Sequence, residues 1–431
     1  MFNIGVFRVL CGYLVLWPSI WGWYYIAVQM QPKGVHHYFA GYSASMIVAL
    51  LLTLGLLSRD RSQPVSLRFD RAQRIALLLF VISALLGPAL AAPHPDYAYL
   101  RLTLLLPLVL AGFAAFIWFQ TLPSRRIMQV ALAFVCGMLL HALLVLPFLQ
   151  PYIDLADLDW MTGIVPYFNV RRYTNYFAVA IPVMTGLWVW ANARQSDHDQ
   201  ASRFISIVAM AGLSACWTLQ FWAGSRAPSL AVLCGITAVA ILAGQYRKPL
   251  IVGSVCAMLI GALTSLLLPR PHPSFGFWAR LLDIERYDNL NSLGSGRIAV
   301  WQEAWRLFTE NPWFGNGHSQ FAFQDGLAGQ MKLETPHNLP LEMLNDFGVV
   351  GGLPILFLVY GGVLHLVWQA SKRQISPVTL MCLLALLTMS AQSLFDGNIT
   401  AFLSVIPFGL FWALAAASLQ SDAKKREREA D

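Results

Sequence analysis

Long apolar runs recur along nearly the whole of this sequence and restrict what it can fold into. A chain crosses about 30 Å of hydrocarbon as a helix of about 20 apolar residues, because an open strand would leave its backbone polar groups unsatisfied. We predict about twelve such helices, at Ile4–Val28, Tyr42–Leu57, Ile75–Ala92, Leu100–Phe119, Met128–Leu149, Asn175–Trp190, Phe204–Trp222, Pro228–Gln245, Leu250–Leu268, Val349–Trp368, Pro377–Leu394 and Ala401–Leu419. The expected fold class is therefore an all-α polytopic membrane protein.

Composition favours the same class. Of the 431 residues, 57% are hydrophobic and 12% are charged, which is too apolar for a soluble globular protein. The first run is too long and too aromatic for a cleaved signal peptide, so we expect a retained helix. All six cysteines lie in apolar runs without a CxxC pair. Neither a disulfide framework nor a metal site is expected from them.

Basic residues mark alternate connectors between the runs. They lie in 59–74, at 125–126, 194–203, 247–248 and 372–373, and in the C-terminal KKRER segment. The positive-inside rule makes these connectors cytoplasmic, with both termini on that side. The formal charge of +7 is then an orientation signal, and no nucleic-acid partner is expected. The division expected is a transmembrane bundle at 1–268, a large periplasmic loop at 269–346, three further transmembrane helices at 347–419 and a basic cytoplasmic tail at 420–431.

Several cations lie on the other side, where the same rule predicts few. They are Arg101 at the start of a run, Arg171 and Arg172 ahead of another, and Arg226 between two runs. An ionisable residue at the membrane is a functional candidate because its burial is costly. These arginines are therefore candidate site residues.

The segment SGRIAVWQEAWRLFTENPWFG in the long loop has the spacing of an amphipathic helix. Ser295 suits the N-cap, and a packed apolar face is expected from Ile298, Trp301, Trp305 and Phe308. That face either packs over the bundle or lies on the membrane surface.

Arg297 lies in the first turn of that predicted helix, where a cation opposes the helix dipole by about 0.3–1 kcal/mol. Another interaction should compensate, and a helix N-terminus with an arginine is a good site for phosphate oxygens. Arg226, in a short turn at the same face of the membrane, is a second planar donor. The two arginines either converge on one diphosphate, or each is a snorkelling or salt-bridged side chain.

Two histidines lie near the end of the loop. His318 follows Gly315 and Gly317, and we expect it to be structural or exposed to solvent. His337 lies in TPHNLPLEMLNDFG, where Thr335 could cap a helix and Pro336 or Pro340 suits its first turn. A helix N-terminus and nearby arginines disfavour an imidazolium, so His337 is expected to be neutral and able to accept a proton. The alternative is an ordinary structural histidine.

Four motifs together resemble a known family. They are Ser225–Arg226 between two mid-chain runs, GSGR at Gly294–Arg297, the segment PWFGNGHSQF, and PHN at Pro336–Asn338. This pattern is similar to the O-antigen ligases of the WaaL type, within the wider superfamily of lipid-linked glycan ligases and polymerases. The specific part of the match runs from about Ala223 to Gly352.

The resemblance implies a membrane-embedded glycosyltransferase of GT-C type that is inverting and needs no metal ion or other cofactor. Its donor would be O-antigen on undecaprenyl diphosphate and its acceptor lipid A-core, at the periplasmic face of the bacterial inner membrane. His337 would correspond to the family's essential histidine, a general base, and Arg226 and Arg297 to its two essential arginines. Weaker assignments to donor or glycan binding are Arg101, Arg172, Asn175, His318 and Asn338.

Other functions remain open at this point. An O-antigen polymerase of the Wzy type or a protein O-oligosaccharyltransferase would use the same donor with another acceptor. A lipid or glycan transporter belongs to a different class, for which repeat symmetry between the two halves would be expected. The outward loops contain no DxD-like carboxylate pair or His/Asp/Glu cluster, so no Mg²⁺ or Mn²⁺ site is expected.

Overall fold

The structure is a computed structural model that describes residues 2–29, 36–59, 69–153, 170–194, 200–268, 276–278, 294, 296–330, 333, 335–396 and 402–430. For 2–3, 18–29, 36–44, 142, 144–153, 170–173, 402–404 and 430 it describes the backbone only. Helices make up nearly all of these residues, and no strand occurs among them. The predicted all-α class is confirmed.

Fourteen helices are described, and we number them in chain order. They are α1 (Phe2–Gln29), α2 (His36–Leu57), α3 (Arg71–Ala91), α4 (Pro95–Phe119), α5 (Ser124–Ile153), α6 (Val170–Ala193), α7 (Gln200–Ala223), α8 (Arg226–Leu242), α9 (Arg247–Ser265), α10 (Arg297–Glu310), α11 (Leu327–Gln330), α12 (Leu339–Ser371), α13 (Pro377–Asp396) and α14 (Phe402–Ala430). α12 contains two π-helical turns, at Gly348–Gly352 and Phe357–Gly361.

Seven of the helices in the described residues are long and apolar enough to cross a membrane. They lie at Arg71–Ala91, Pro95–Phe119, Thr174–Ala193, Gln200–Ala223, Gly244–Ser265, Leu339–Ser371 and Pro377–Asp396. Shorter apolar stretches are described at Ile4–Trp17, Ser45–Leu57 and Arg226–Leu242. The protein is thus a polytopic membrane protein, while the number of twelve spans stays a prediction.

The helices α6 and α13 form the centre of the bundle. Within their membrane spans 72% and 78% of the residues are buried. The two helices run antiparallel, because Asn175 contacts Gln392 at one end while Gly186 approaches Met381 further along. A Cβ on Gly186 would lie 2.3 Å from the Cβ of Met381, so a glycine is needed for this close packing.

The chain direction continues to alternate through α7 and α8. Asn192 bonds to Ser206, and Gly212 approaches Met184, so α6 and α7 are antiparallel. A tight turn at Gly224, with φ +71°, then reverses the chain into α8. α8 packs against α13. The N-terminal end of α8 and the C-terminal end of α13 therefore lie at the same end of the bundle.

The predicted loop helix exists as α10, but two details of the prediction are wrong. It begins at Arg297 with Gly296 as its N-cap, at φ +78°, while Ser295 lies outside the described residues. Its buried face comprises Val300, Ala304, Leu307 and Phe308. Trp305 is 53% exposed. A small cluster of Phe321, Ala328 and Leu341 packs against this face of α10. The buried face therefore lies about one residue away from the face that the sequence predicted.

Candidate active site

One carboxylate joins two of the predicted site residues. Asp396, the last residue of α13, places its Oδ1 atom 3.1 Å from Nη2 of Arg297 and 3.6 Å from Nδ1 of His337. The side chain of Asp396 is 9% exposed, that of Arg297 20% and that of His337 44%. The histidine thus lies at the accessible side of the cluster, where a substrate could reach it.

The helix ends explain why these groups meet. Arg297 is the first residue of α10, His337 lies two residues before α12, and Asp396 ends α13. Because Asp396 follows an apolar span, its carboxylate is at the end of the bundle where the loop returns to the membrane. The ion pair with Asp396 is the interaction that offsets the unfavourable position of Arg297 at a helix N-terminus.

Asn338 fixes the segment that carries His337. Its Oδ1 accepts a hydrogen bond from the backbone N–H of Leu341 and caps α12, and its Nδ2 donates to the carbonyl of Leu394 on α13. The predicted cap at Thr335 is wrong, because the hydroxyl of Thr335 instead accepts from the backbone N–H of His337. Pro340 lies in the first turn, as one of the two predicted positions. Asn338 therefore ties the start of α12 to the end of α13, next to Asp396.

The backbone of His337 adopts an unusual conformation. Its φ is +54°, and Ser319 is the other non-glycine residue with a positive φ among the described residues. Such conformations cost about 1–3 kcal/mol and are concentrated at functional sites. The surrounding bonds of Asn338 hold the strained residue in place.

The charges around His337 include a carboxylate that the sequence-based expectation did not consider. That expectation considered only the positive helix end and nearby cations, whereas the structure adds the carboxylate of Asp396 at 3.6 Å from Nδ1. A carboxylate facing Nδ1 favours a proton on that nitrogen and directs Nε2 away from Asp396. Nε2 is then the ring nitrogen left able to accept a proton.

Arg226 lies at the same end of the bundle as this cluster. It is the first residue of α8, and its side chain is half-buried. α8 contacts α13 where Gly235 approaches Thr388. At 1.5 Å per residue, Arg226 and Asp396 each lie about 12–14 Å from this contact along antiparallel helices. The two residues therefore reach the same level of the bundle.

The residues with weaker sequence assignments lie at two locations, one near Asp396 and one around Asp346. Asn175 accepts a hydrogen bond from Nε2 of Gln392, at 2.7 Å, one turn before Asp396 on α13. Arg101 and His318 instead belong to a second cluster around Asp346. Nδ1 of His318 lies 2.8 Å from Oδ2 of Asp346, and Nε of Arg101 donates to Oγ of Ser319. The side chain of Arg172, in the first turn of α6, lies outside the described residues.

The cluster around Asp346 fixes the loop over α12. His318 is buried and stacks on Phe347. The backbone N–H groups of Asn316 and Gly317 donate to the carbonyls of Asn345 and Asp346. Of the two alternatives expected for His318, structural or exposed to solvent, the structure shows the first. His318 is buried and holds the loop in place.

No group of three or more His, Cys, Asp or Glu side chains that could hold a metal ion occurs in the part of the chain that is described. The metal independence of the reaction stays a prediction, since Ser295 and 279–293 of the loop lie outside that part.

Asp396 is the residue that sequence reasoning missed. The predicted span ended at Leu394, and Asp396 was left in the following connector. The sequence does contain one indication of this residue, because Asp396 is an acidic side chain directly after a long apolar run. Ionisable groups at such positions are costly and are often functional. Its partners are 99 and 59 positions away in the chain, so spacing alone could not connect them.

The fold defines a polytopic membrane protein, and its candidate site residues gather at one end of the helical bundle. Residues 211–356 match the family model described as O-antigen ligase. A relative from Pseudomonas aeruginosa, named O-antigen ligase, is 26% identical over 376 residues, which cover 75% of this chain and 83% of the relative. These findings confirm that the chain resembles the O-antigen ligase family, as its motifs indicated.

The matched region contains Arg226, Arg297 and His337 and ends within α12. Asp396 lies beyond it.

Proposed function

We propose that this protein is an O-antigen ligase. It would transfer O-antigen from undecaprenyl diphosphate to a hydroxyl of lipid A-core, at the periplasmic face of the inner membrane. The observation that carries this proposal is the contact of Arg297 and His337 with one carboxylate oxygen, at the end of the bundle where Arg226 also lies. Similarity to the O-antigen ligase family supports the class of reaction.

The reaction proposed is a single displacement. The acceptor hydroxyl oxygen attacks the anomeric carbon of the donor glycan, and the bond from that carbon to the diphosphate oxygen breaks. The hydroxyl proton passes to Nε2 of His337, and undecaprenyl diphosphate leaves with the bonding electron pair. Attack from the face opposite the leaving group inverts the anomeric configuration, by the same stereochemical logic as in glycosidases.

The arginines would stabilise the departing diphosphate. Negative charge grows on the diphosphate as the bond breaks, and donors already aimed at that position lower the barrier most effectively. Arg297 uses Nη2 to hold Asp396, and a guanidinium has five N–H donors, so others remain for phosphate oxygens. Arg226 would supply a second fork from α8.

Asp396 would act as a positioning residue for both partners. A carboxylate behind a histidine selects its tautomer and stabilises the imidazolium that forms during proton transfer. The distance of 3.6 Å to Nδ1 is longer than a hydrogen bond, as often found in an enzyme without its substrates. Binding of the donor at Arg297 would complete the alignment.

The arrangement in the membrane is part of the proposal. Five apolar helices, α1, α2, α5, α8 and α14, accompany the seven that satisfy the length and hydropathy requirement. Together they would form twelve spans with both termini in the cytoplasm and 269–346 as the periplasmic loop. The basic connectors and the basic end of α14 support this orientation.

The proposal is tested with purified protein, undecaprenyl diphosphate O-antigen and rough lipopolysaccharide, in the presence of a chelator. We expect lipopolysaccharide carrying O-antigen, with an anomeric linkage inverted relative to the donor by NMR. A longer lipid-linked glycan without use of the acceptor would identify a polymerase, and transfer to a peptide would identify an oligosaccharyltransferase. A retained linkage would contradict the single displacement.

A further inference from the structure

Two cavities flank the first turn of α5, at the end of the bundle opposite the candidate active site. The first has a volume of about 460 Å³ and lies between α1 and α5, with Phe7, Arg8 and Arg126 in its lining. The second has a volume of about 430 Å³ and lies among α5, α6 and α13, with Arg125, Trp190 and Arg194 in its lining. Gln129 of α5 lines both.

Their position separates them from the proposed chemistry. α6 runs from Asn175, near Asp396, to Arg194, which at 1.5 Å per residue is about 28 Å. α13 likewise runs from Val378, in the lining of the second cavity, to Asp396. The cavities thus lie about one hydrocarbon thickness away from the active site, and the proposed reaction gives them no role.

The four arginines in these cavities are not neutralised within the described part of the chain. None of Arg8, Arg125, Arg126 and Arg194 forms a salt bridge with a described carboxylate. Neither cavity has an acidic residue in its lining. Asp422, on α14, is bonded to Ser376 and Thr379 instead. Each cavity therefore carries two positive charges that an anion could compensate.

Aromatic rings orient two of these guanidinium groups. The guanidinium carbon of Arg126 lies 5.4 Å from the ring centroid of Phe7, and that of Arg194 lies 4.4 Å from the ring centroid of Trp190. Such cation–π contacts hold an arginine against an apolar wall while leaving the edge of its planar fork available. The side chains are thus arranged to receive phosphate oxygens.

Apart from Gln129 in both cavities and Ser124 in the second, the remaining lining residues are apolar. Ile4, Phe7 and Cys11 line the first cavity, and Met128, Trp190 and Val378 line the second. A ligand that suits both features has an anionic head and a hydrocarbon part. Inorganic phosphate would leave the apolar walls uncovered, and a zwitterionic lipid would bring its own cation to the arginines.

We propose that the two cavities bind anionic phospholipids from the surrounding bilayer, independently of the function proposed above. The phosphodiester would contact Arg8 and Arg126 in one cavity, and Arg125 and Arg194 in the other. The glycerol and the first part of the acyl chains would cover the apolar walls. Basic pockets between membrane helices at the end of a bundle are suited to such headgroups.

Bound lipid would add a further link between neighbouring helices. One lipid would join α1 to α5, and the other would join α5 to α6 and α13. A ligand that binds the folded state alone raises its stability in proportion to the logarithm of ligand concentration over Kd. Anionic lipid is therefore expected to stabilise the folded protein.

The test uses the full-length protein, delipidated in neutral detergent. Phosphatidylglycerol, phosphatidylcholine or inorganic phosphate is titrated while Tm and the lipids retained in native mass spectrometry are measured. We expect phosphatidylglycerol alone to raise Tm, with up to two molecules retained per chain. Arg126→Gln should remove one of them, and the double variant Arg125→Gln/Arg194→Gln the other, with affinity falling about fivefold per arginine.

Two further variants distinguish lipid binding from general effects. Lys248→Gln removes an exposed cation of α9 at the same end of the bundle that lines neither cavity, and it should leave both lipids in place. Arg126→Lys keeps the charge and should retain part of the affinity if Arg126→Gln does not fold. An equal shift with phosphatidylcholine, saturation by inorganic phosphate, or unchanged retention in the arginine variants would overturn the proposal.

Discussion

The guanidinium of Arg297 lies 3.1 Å from the carboxylate of Asp396, although 99 positions separate them in the chain. This contact joins the start of a loop helix to the end of a membrane helix. The same carboxylate oxygen also contacts His337. Asp396 is thus the point through which the proposed leaving-group site and the proposed general base are held together.

Asp396→Asn should abolish most of the transfer activity while the protein still folds. The amide keeps the shape of the side chain but removes the charge that holds Arg297 and orients His337. We expect a fall of about 10²–10⁴ in kcat, the size of a general-base contribution. The measurement is the rate of O-antigen transfer by purified variants at equal concentration.

Asp325→Asn is the matched control, because Asp325 is an exposed carboxylate in the loop that carries Arg297 and His337. It should retain near-normal activity. If Asp396→Asn behaves like this control, Asp396 does not position the reactive groups.

Arg226→Lys should also be severely impaired. An ammonium keeps the charge but lacks the planar fork that binds two phosphate oxygens at once. Hydrogen bonds to charged groups contribute about 1.5–3 kcal/mol, so we expect a loss of about 10- to 100-fold in kcat/KM for the donor. Arg74→Lys, at an exposed position of α3, is the control, and equal activities of the two variants would count against a role in diphosphate binding.

The helices were largely predictable from sequence, because the length of an apolar run and the charge of its flanks depend on local residues. The predicted run Ile75–Ala92 corresponds to α3 at Arg71–Ala91, and Phe204–Trp222 corresponds to α7 at Gln200–Ala223. The turn that presents Arg226 was also visible from its neighbouring glycine. These features need no knowledge of tertiary contacts.

The details of the site were less predictable, because they depend on residues brought together from distant segments. Asp396 had no local pattern beyond its place after an apolar run. The packed face of α10 was shifted by one position, because Phe321, Ala328 and Leu341 decide which side of that helix is covered. The cap of α12 similarly belongs to Asn338, which also reaches the carbonyl of Leu394.

Gly315→Ala should destabilise the protein. Gly315 has φ +71°, and a Cβ there would lie 2.5 Å from the backbone carbonyl carbon of Asp346. The left-handed conformation alone costs an alanine about 1–2 kcal/mol, and the clash with backbone adds to this. Gly244→Ala is the matched control, because Gly244 also has a positive φ but faces open space. The Tm of purified protein should fall clearly more for Gly315→Ala, and equal decreases would refute the close packing of the loop on α12.

The pair Glu303 and Arg306 should make the stability of the loop depend on pH. Hydrogen bonds from Arg306 are the main cause that lowers the pKa of Glu303 below its ordinary value of 4.5, although burial opposes them, and the backbone N–H groups of Leu327 and Ala328 contribute. Because the pKa of Glu303 is lower in the folded state than in the unfolded state, its ionised form stabilises the folded protein above pH 4.5. This stabilisation is lost as the pH falls through the pKa of Glu303 in the folded state.

Arg306→Gln should therefore increase protease cleavage of the loop at neutral pH, and the difference from wild type should disappear in acid. The effect should be small, because the side chain of Arg306 is 45% exposed. Glu310→Gln, which removes the more exposed partner of Arg306, should have less effect. A difference that grows as the pH falls would have the wrong sign for this pair.

The most direct test of the account compares His337→Ala with wild type in the purified transfer reaction, with a chelator present. His365→Ala is the control, since His365 is an exposed histidine of α12 outside the site. We predict that wild type and His365→Ala attach O-antigen to rough lipopolysaccharide, while His337→Ala is slower by about 10² or more. Near-normal transfer by His337→Ala at equal protein level would contradict the assignment of His337 as the general base.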